Sequence, residues 1–447
     1  MLRVYSFCVA LGMLSPFILA QDIASPLDEI QVEEGDCIVF LGDSITHQCL
    51  YTQYVEDYFY TRFPKTRLVF HNAGVGGAKA WDALQRFDDD VAAYQPKYVT
   101  VLLGMNDGTY RPYDQDVFQT YRNDMTEVVD RIEALGATPI LMTPTMFDAR
   151  AARLNPRRKR DPDSVALYNS VLAYFGTWCR EVATERGYGF VDMWSPLNNL
   201  TIDERETTPD FTLIQDAVHP GPAGQLVMAA AIINDLDLPR VVSTIRIAKN
   251  SDGKWSRRAR GGKLTNLEAS ETSVKFTWLA NSLPWVVPED AAEGVELTRL
   301  GHRLSKESLE LHGLEPGKYE LLIDGETVGT FDSSALARHI ELQANAKTPQ
   351  YQQALEVAKL NKERNESAVR SLRNEWRNFQ QLCRIRRQVE LNPDAEDLKN
   401  QLTKLEKSNE GILDRVKEHR KAAKSFEDKI YEVNQPQERT YEIRKKD

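Results

Sequence analysis

The sequence predicts an α/β protein: a three-layer α/β/α sandwich on a parallel sheet, extended by a small β-rich unit and a C-terminal helical hairpin. Three observations predict it. From Asp36 to Leu238, short apolar runs alternate with helical patterns, the signature of repeated strand and crossover units. Between about Pro239 and Asn345 the pattern changes to short alternating pieces separated by turns. After Ala346, apolar residues recur at steps of three and four.

In chain order, the first segment is a targeting signal. Arg3 precedes an apolar stretch from Val4 to Ala20, and Gln21-Asp22 opens a polar region, so residues 1–20 read as a secretory signal and export to the periplasm or beyond is expected. Ser6, Gly12, Ser15 and Pro16 interrupt the stretch, which is short for a span; no stable membrane span is expected in the mature chain. Cys8 lies inside it without the small-residue setting of a lipoprotein cysteine.

The unit over 21–238 follows. Strands are expected at Cys37–Leu41, Arg67–His71, Tyr98–Leu103, Pro139–Thr143 and Gly189–Asp192, with helices beginning near Ile45, Lys79, Asp116, Asp163 and Pro222. Tyr168, Val171, Leu172, Phe175 and Cys179 share one helical face and read as core.

Four blocks stand out at or beyond the strand ends: Gly42-Asp43-Ser44, Asn72-Ala73-Gly74-Val75-Gly76-Gly77, Gly104-Met105-Asn106-Asp107 and Asp216-Ala217-Val218-His219. Ligands bind at the carboxyl edge of an open parallel sheet, so these blocks can converge on one crevice. A hydroxyl nucleophile needs a base in hydrogen-bond reach and a third group to orient the base; Ser44, His219 and Asp216 fit those roles. An oxyanion needs preorganised donors, and the Ser44 N–H, a glycine N–H and the Asn106 amide are suitable. Asp43 and Asp107 read as turn-fixing carboxylates that accept backbone N–H bonds. His47 reads as a helix residue pointing along its own helix, and His71 as an ordinary strand-end residue. Asp192 is the rival orienting acid, with Asp216 favoured because one loop then carries acid and base together.

With these blocks, the segment from about Asp36 to Leu236 resembles the SGNH (GDSL-type) hydrolase superfamily, whose blocks contribute Ser, Gly, Asn and His in that order. The resemblance implies Ser44 as nucleophile, Gly77 and Asn106 in the oxyanion hole, and Asp216 with His219 completing a triad. Gly74, Gly76 and Gly77 share one turn, and position within the family's block selects Gly77. The resemblance and the crossover rule together imply a flavodoxin-like strand order 2-1-3-4-5. They imply no cofactor and no metal.

In the β-rich unit over 239–345, Ser273 to Trp278 alternates, and Tyr319–Ile323, Asp324-Gly325 and Glu326–Phe331 form a strong hairpin signal. Leu283-Pro284-Trp285-Val286-Val287-Pro288 is very apolar for a loop and is expected to dock on the 21–238 unit. In the hairpin over 346–447, Tyr351, Leu355, Ala358, Val369, Leu372, Trp376, Phe379 and Cys383 mark a coiled-coil-like seam interrupted at Lys362 and Asn365. Asn392-Pro393-Asp394 turns the chain, and Leu398, Leu402, Leu405, Ile412 and Val416 return the spacing. Folding back on the enzyme and self-association are both open for these helices, and Glu438 to Ile443 is a weak strand signal.

The formal net charge is −10, yet the segment after Ala346 holds 23 basic against 18 acidic side chains. So mild an excess does not point to nucleic acid. Arg157-Arg158-Lys159-Arg160 and Arg257-Arg258-Ala259-Arg260 read as solvated loops, the first of them on the active-site side of the sheet, where it could steer an anionic substrate. Cys37, Cys49, Cys179 and Cys383 are too scattered for a metal site or a disulfide scaffold, and Cys37 and Cys49 are expected as buried free thiols. The expected activity is that of an exported serine esterase acting on a small-molecule or polysaccharide ester, with carbohydrate O-acetyl groups favoured. Lysophospholipase or acyl-ester lipase action, acyl transfer, and a non-catalytic polysaccharide-binding scaffold are the alternatives.

Overall fold

The computed structural model describes residues 27, 29–155 and 161–446. The signal expected at 1–20 and the basic run at 157–160 lie outside these residues. Five parallel strands, β1 (Cys37–Gly42), β2 (Val69–Gly74), β3 (Tyr98–Leu102), β4 (Thr138–Met142) and β5 (Gly189–Val191), form a sheet in the order β2-β1-β3-β4-β5. Helices α1 (Ser44–His47), α2 (Leu50–Arg62), α3 (Ala80–Gln85), α4 (Phe87–Asp90), α5 (Gln115–Ala134), α6 (Ala149–Leu154), α7 (Pro162–Arg186), α8 (Trp194–Glu204) and α9 (Pro222–Asp235) connect and cover it. The expected three-layer architecture and strand order are those observed. The stripe Tyr168, Val171, Leu172, Phe175 and Cys179 is buried against the sheet.

Two local departures bear on the site. The second strand runs to Gly74 rather than ending at His71, because pairing with β1 continues from Phe40↔Asn72 to Gly42↔Gly74. Asn72 is tolerated there since its Nδ2 donates to Thr46 O (2.8 Å) and Thr52 Oγ1 (3.1 Å). The helix expected from Ile45 is two helices, broken at Cys49, which adopts a left-handed φ of 64°. The break lets α2 take its own direction, and nearly every residue of α2 is buried, Gln53, Glu56 and Asp57 included.

The β unit is a sandwich of two sheets. Strands β6 (Val241–Lys249), β7 (Trp255–Arg260), β8 (Gly262–Ala269), β9 (Ser273–Ala280), β10 (Lys306–His312), β11 (Lys318–Ile323), β12 (Glu326–Asp332), β13 (Ile340–Glu341) and β14 (Glu438–Lys445) order as β13-β10-β6-β7 and β12-β11-β14-β9-β8. Ile245, Ile247, Leu309 and Leu311 of one sheet and Val274, Phe276, Leu321 and Ile443 of the other share one core. Three short helices, α10 (Ala292–Thr298), α11 (Leu300–Leu304) and α12 (Ser333–Arg338), complete it. The unit is thus not confined to 239–345. The chain end returns as β14, at the centre of the second sheet, with Tyr441 opposite Phe276 and Ile443 opposite Val274. Arg257, Arg258 and Arg260 are exposed on the edge strand β7, not in a loop. The 283–288 segment docks as expected: Trp285 is buried, with its Nε1 donating 3.0 Å to Tyr54 O.

The hairpin consists of α13 (Pro349–Arg364) and α14 (Arg370–Leu391), joined by one π turn at Asn365–Val369, returning through α15 (Glu396–Asn409) and α16 (Ile412–Val433). Of the interruption read at Lys362 and Asn365, Asn365 opens the π turn, whereas Lys362 lies in the last turn of α13. Of the two arrangements left open for these helices, the structure shows them folded back on the α/β unit, which explains the buried polar face of α2. Asn361 Nδ2 donates to Asp57 (2.8 Å), and Arg364 reaches Glu56 (3.1 Å), Glu427 (2.6 Å) and Phe70 O (3.2 Å). Farther along, Arg373 makes a two-pronged pair with the buried Asp90 (2.8 and 2.6 Å). Among the described residues no helix is long and apolar enough to cross a membrane.

Candidate active site

Ser44 is placed by the turn from β1 into α1. Asp43 caps that helix, its Oδ1 accepting the Ile45 N–H at 2.9 Å. The helix lies so close over the strand ends that a Cβ on Gly42 would fall 2.1 Å from Thr46 Oγ1, and one on Gly74 would fall 2.5 Å from the His47 nitrogen. Both positions therefore require glycine for packing, which assigns Gly74 a structural duty and leaves Gly76 and Gly77 at the cleft.

His219 arrives on the loop before α9. Its Nε2 lies 2.8 Å from Ser44 Oγ and its Nδ1 2.6 Å from Asp216 Oδ2, while Asp216 Oδ1 accepts the N–H groups of Val218 (2.9 Å) and His219 (2.7 Å). Ala217 supplies the sharp turn with a left-handed φ of 76°. Partial burial pushes the Asp216 carboxyl up, but the His219 ring and the two backbone N–H groups outweigh it and hold the group well below the usual carboxylate range. An ionised carboxylate only accepts, so Nδ1 carries the imidazole proton and Nε2 is left to accept from the Ser44 hydroxyl.

Asn106 lines the same cleft. Its Nδ2 donates to Ala78 O (3.1 Å) and, at the longer distance of 3.2 Å, to Asp43 Oδ2; its Oδ1 accepts from Tyr110 (3.1 Å). Asp107 accepts from Ala80 N–H (2.9 Å) and Gly104 N–H (3.0 Å), tying the glycine and asparagine loops together. Burial raises the Asp43 carboxyl to about 6 and the Asp107 carboxyl to about 7.

The remaining sequence candidates lie elsewhere or act structurally. His71 is buried, stacked 3.5 Å from Tyr94 and bonded to Asp90 at 2.9 Å. Asp192 caps α8 by accepting from Trp194 N–H (3.1 Å) and Ser195 N–H (2.9 Å), and the His219 ring is held by Asp216 instead. His47 does line the cleft, and burial with the nearby Arg373, Arg377 and Arg370 lowers its imidazole to about 4, so it is neutral. Cys37 and Cys49 are free and buried.

Sequence reasoning missed the contribution of α14. Gln380 Nε2 donates to Gly76 O (3.0 Å), and Arg384, paired with Asp82, donates to Gly77 O (2.6 Å). A trans peptide points its C=O and N–H in opposite directions, so holding the Gly76 carbonyl on the hairpin turns the Gly77 N–H away from it. Arg377 itself lines the cleft of about 480 Å³ that contains Ser44, Asn106 and His219. A second depression of about 390 Å³, beside Arg150 and Arg205, contains none of these groups.

The parallel-sheet fold thus brings a hydroxyl, an imidazole and a carboxylate into line at its carboxyl edge, the arrangement of a nucleophilic hydrolase. The model of the GDSL-like lipase/acylhydrolase family matches residues 40–227, so the α/β unit carries an ester-hydrolase domain of that SGNH/GDSL type. An acetylxylan esterase of Geobacillus stearothermophilus is 24% identical over 230 residues, 46% of this chain and 96% of its own length. An uncharacterized lipoprotein of Bacillus subtilis is 34% identical over 74 residues, 16% of this chain and 30% of that one. The solved structure of a gut microbial diltiazem-metabolizing enzyme superposes with a TM-score of 0.78 at 27% identity, covering 94% of this chain and 100% of that one.

Proposed function

We propose that the protein is an exported carbohydrate O-acetyl esterase that works through Ser44, His219 and Asp216. The observation that carries this reading is the 2.8 Å contact between His219 Nε2 and Ser44 Oγ, with Asp216 holding the ring from behind. His219 removes the Ser44 proton as Oγ attacks the ester carbonyl, and then delivers it to the departing alkoxide. Water, activated by the same imidazole, clears the acetyl-enzyme. The oxyanion is received by the N–H of Ser44, which opens α1 and has no intrahelical acceptor, by the Gly77 N–H, and by Asn106 Nδ2. The long Asn106 to Asp43 contact is the one the oxyanion replaces. Support for an acetylated saccharide as substrate comes from the acetylxylan esterase relative and from the apolar Val4–Ala20 stretch, which would carry the enzyme out to extracellular polysaccharide.

The test is acetate release from acetylated xylo-oligosaccharides together with labelling by a fluorophosphonate. Label on Ser44 is expected, and Ser44→Ala should lose about 10⁴-fold or more in kcat. Label on another residue, or turnover surviving in Ser44→Ala, would overturn the assignment.

A further inference from the structure

We propose that Arg377 forms an anion subsite of the cleft, so that the preferred substrate is an acetylated saccharide bearing a carboxylate on or next to the acetylated sugar. This deepens the proposed esterase reading and rests on it. Three arginines that α13 and α14 turn toward the α/β unit are neutralised by carboxylates: Arg364 by Glu56 and Glu427, Arg373 by Asp90, and Arg384 by Asp82, while Arg370 is spent on Gln48 O and Arg387 lies over the Trp81 ring. Arg377 differs. Among the described residues no carboxylate lies within ion-pair distance of it, and its Nε sits 3.9 Å from where a side chain on Gly76 would begin.

The surroundings point to an anionic ligand. Among the described residues no acidic side chain lines the cleft around Ser44 or the trough of about 310 Å³ that adjoins it through Gly76 and Arg377. The carboxylates bonded to the site residues are already engaged, Asp216 with His219 and Asp43 with Ile45 N–H and Asn106. Neutral His47 adds no competing charge. A guanidinium presents a planar fork that matches a carboxylate. Along the trough, Gln380, Gln381 and Gln388 offer amide donors and acceptors suited to sugar hydroxyls. Cleft and trough together therefore run from the reacting serine past the unpaired Arg377 guanidinium and along a row of amides, an arrangement that fits an acidic oligosaccharide better than an acyl chain.

The experiment separates binding from turnover. On the full-length Ser44→Ala protein, Kd is measured for an acetylated methyl glucuronoside with a free carboxylate, for its neutral methyl ester, and for an acetylated methyl glucoside 6-sulfate. The free acid should bind about tenfold tighter than the neutral ester. Adding Arg377→Gln should bring the two together, Arg377→Lys should restore part of the difference, and high salt should shrink it. Equal affinities for acid and neutral ester, or a preference that survives Arg377→Gln, would overturn the proposal, and tighter binding of the sulfate than of the carboxylate would overturn the assignment to a carboxylate. With Ser44 in place, absence of acetate release from acid and neutral ester alike would instead overturn the esterase reading, so the two failures are distinguishable.

Discussion

The carboxyl edge of the parallel sheet and the inner face of α14 meet at one cleft, yet they are built from sequence in opposite ways. At the sheet edge, each group of interest lies within two or three residues of a glycine or aspartate that shapes its turn, as Asp43 does for Ser44 and Asp216 does for His219. On α14, Arg377, Gln380 and Arg384 have no local mark; they matter because the hairpin returns to the α/β unit some three hundred positions later in the chain and packs on the glycine loop. The chemistry is local in sequence, whereas the wall that faces the substrate is tertiary.

That contrast is open to attack at the hairpin's seat. Asp90 is fully buried and accepts from Arg373 of the hairpin and from Arg86 and His71 of the α/β unit. Burial raises its carboxyl, but the Arg373 charge and the His71 and Arg86 contacts more than reverse this and hold it far below the usual range. Asp90→Asn leaves two buried guanidiniums without a counter-charge and should lower unfolding stability by about 3–5 kcal/mol, read by denaturant melts. A loss under about 1 kcal/mol would show that the Asp90 cluster does not anchor the hairpin.

The second seat, against the β unit, behaves oppositely. Glu307 on β10 is buried with an unpaired Oε2, and burial raises its carboxyl to about 7 from an ordinary 4.5 against the opposing Arg62 charge and the Gln350 amide. Between those two values the folded chain holds a proton that the unfolded chain has released. Stability from this group therefore falls as pH rises through the window, and the penalty is complete above about 7. Glu307→Gln should remove that slope, gaining on the order of 3 kcal/mol relative to wild type between pH 4 and 8. Parallel stability curves for the two proteins would show that Glu307 ionises normally.

Legibility followed the same division. Alternation of strands and helices implied the sheet, and Asp324-Gly325, both at positive φ, mark the β11–β12 turn as their residue types predict. Ser44, His219 and Asp216 were identified together, and their atoms stand at 2.8 and 2.6 Å. What escaped reading depended on distant partners. Asn72 looks like a strand terminator until Thr46 and Thr52 satisfy its amide, and Gln53, Glu56 and Asp57 look solvent-facing until Asn361 and Arg364 cover them. Tyr441 and Ile443 alternate over too short a window to name a central strand whose neighbours lie more than a hundred residues upstream. Each case is a polar or short segment whose burial is decided by long-range docking, and no local pattern encodes that.

The smallest expected effect lies at the hairpin tip, and it sharpens the contrast within the hairpin itself. Toward the tip the helices lose their cover: Leu391 is 72% exposed, and Leu398, Leu402 and Leu405 are only half covered. The ion pair there, Arg386 with Glu406 at 3.5 Å, joins two half-exposed side chains that water screens. Arg386→Ala should therefore change stability by less than about 1 kcal/mol in the same melts that register Asp90→Asn. One helix would then carry two arginines of identical type whose removal or stranding differs several-fold, because Arg373 meets its carboxylate in the dry seat and Arg386 meets its own in solvent. A loss at the tip as large as at the seat would mean that the tip is covered in solution by something beyond this chain's own fold, and a second copy of the hairpin would be the first occupant to test by measuring the oligomeric state.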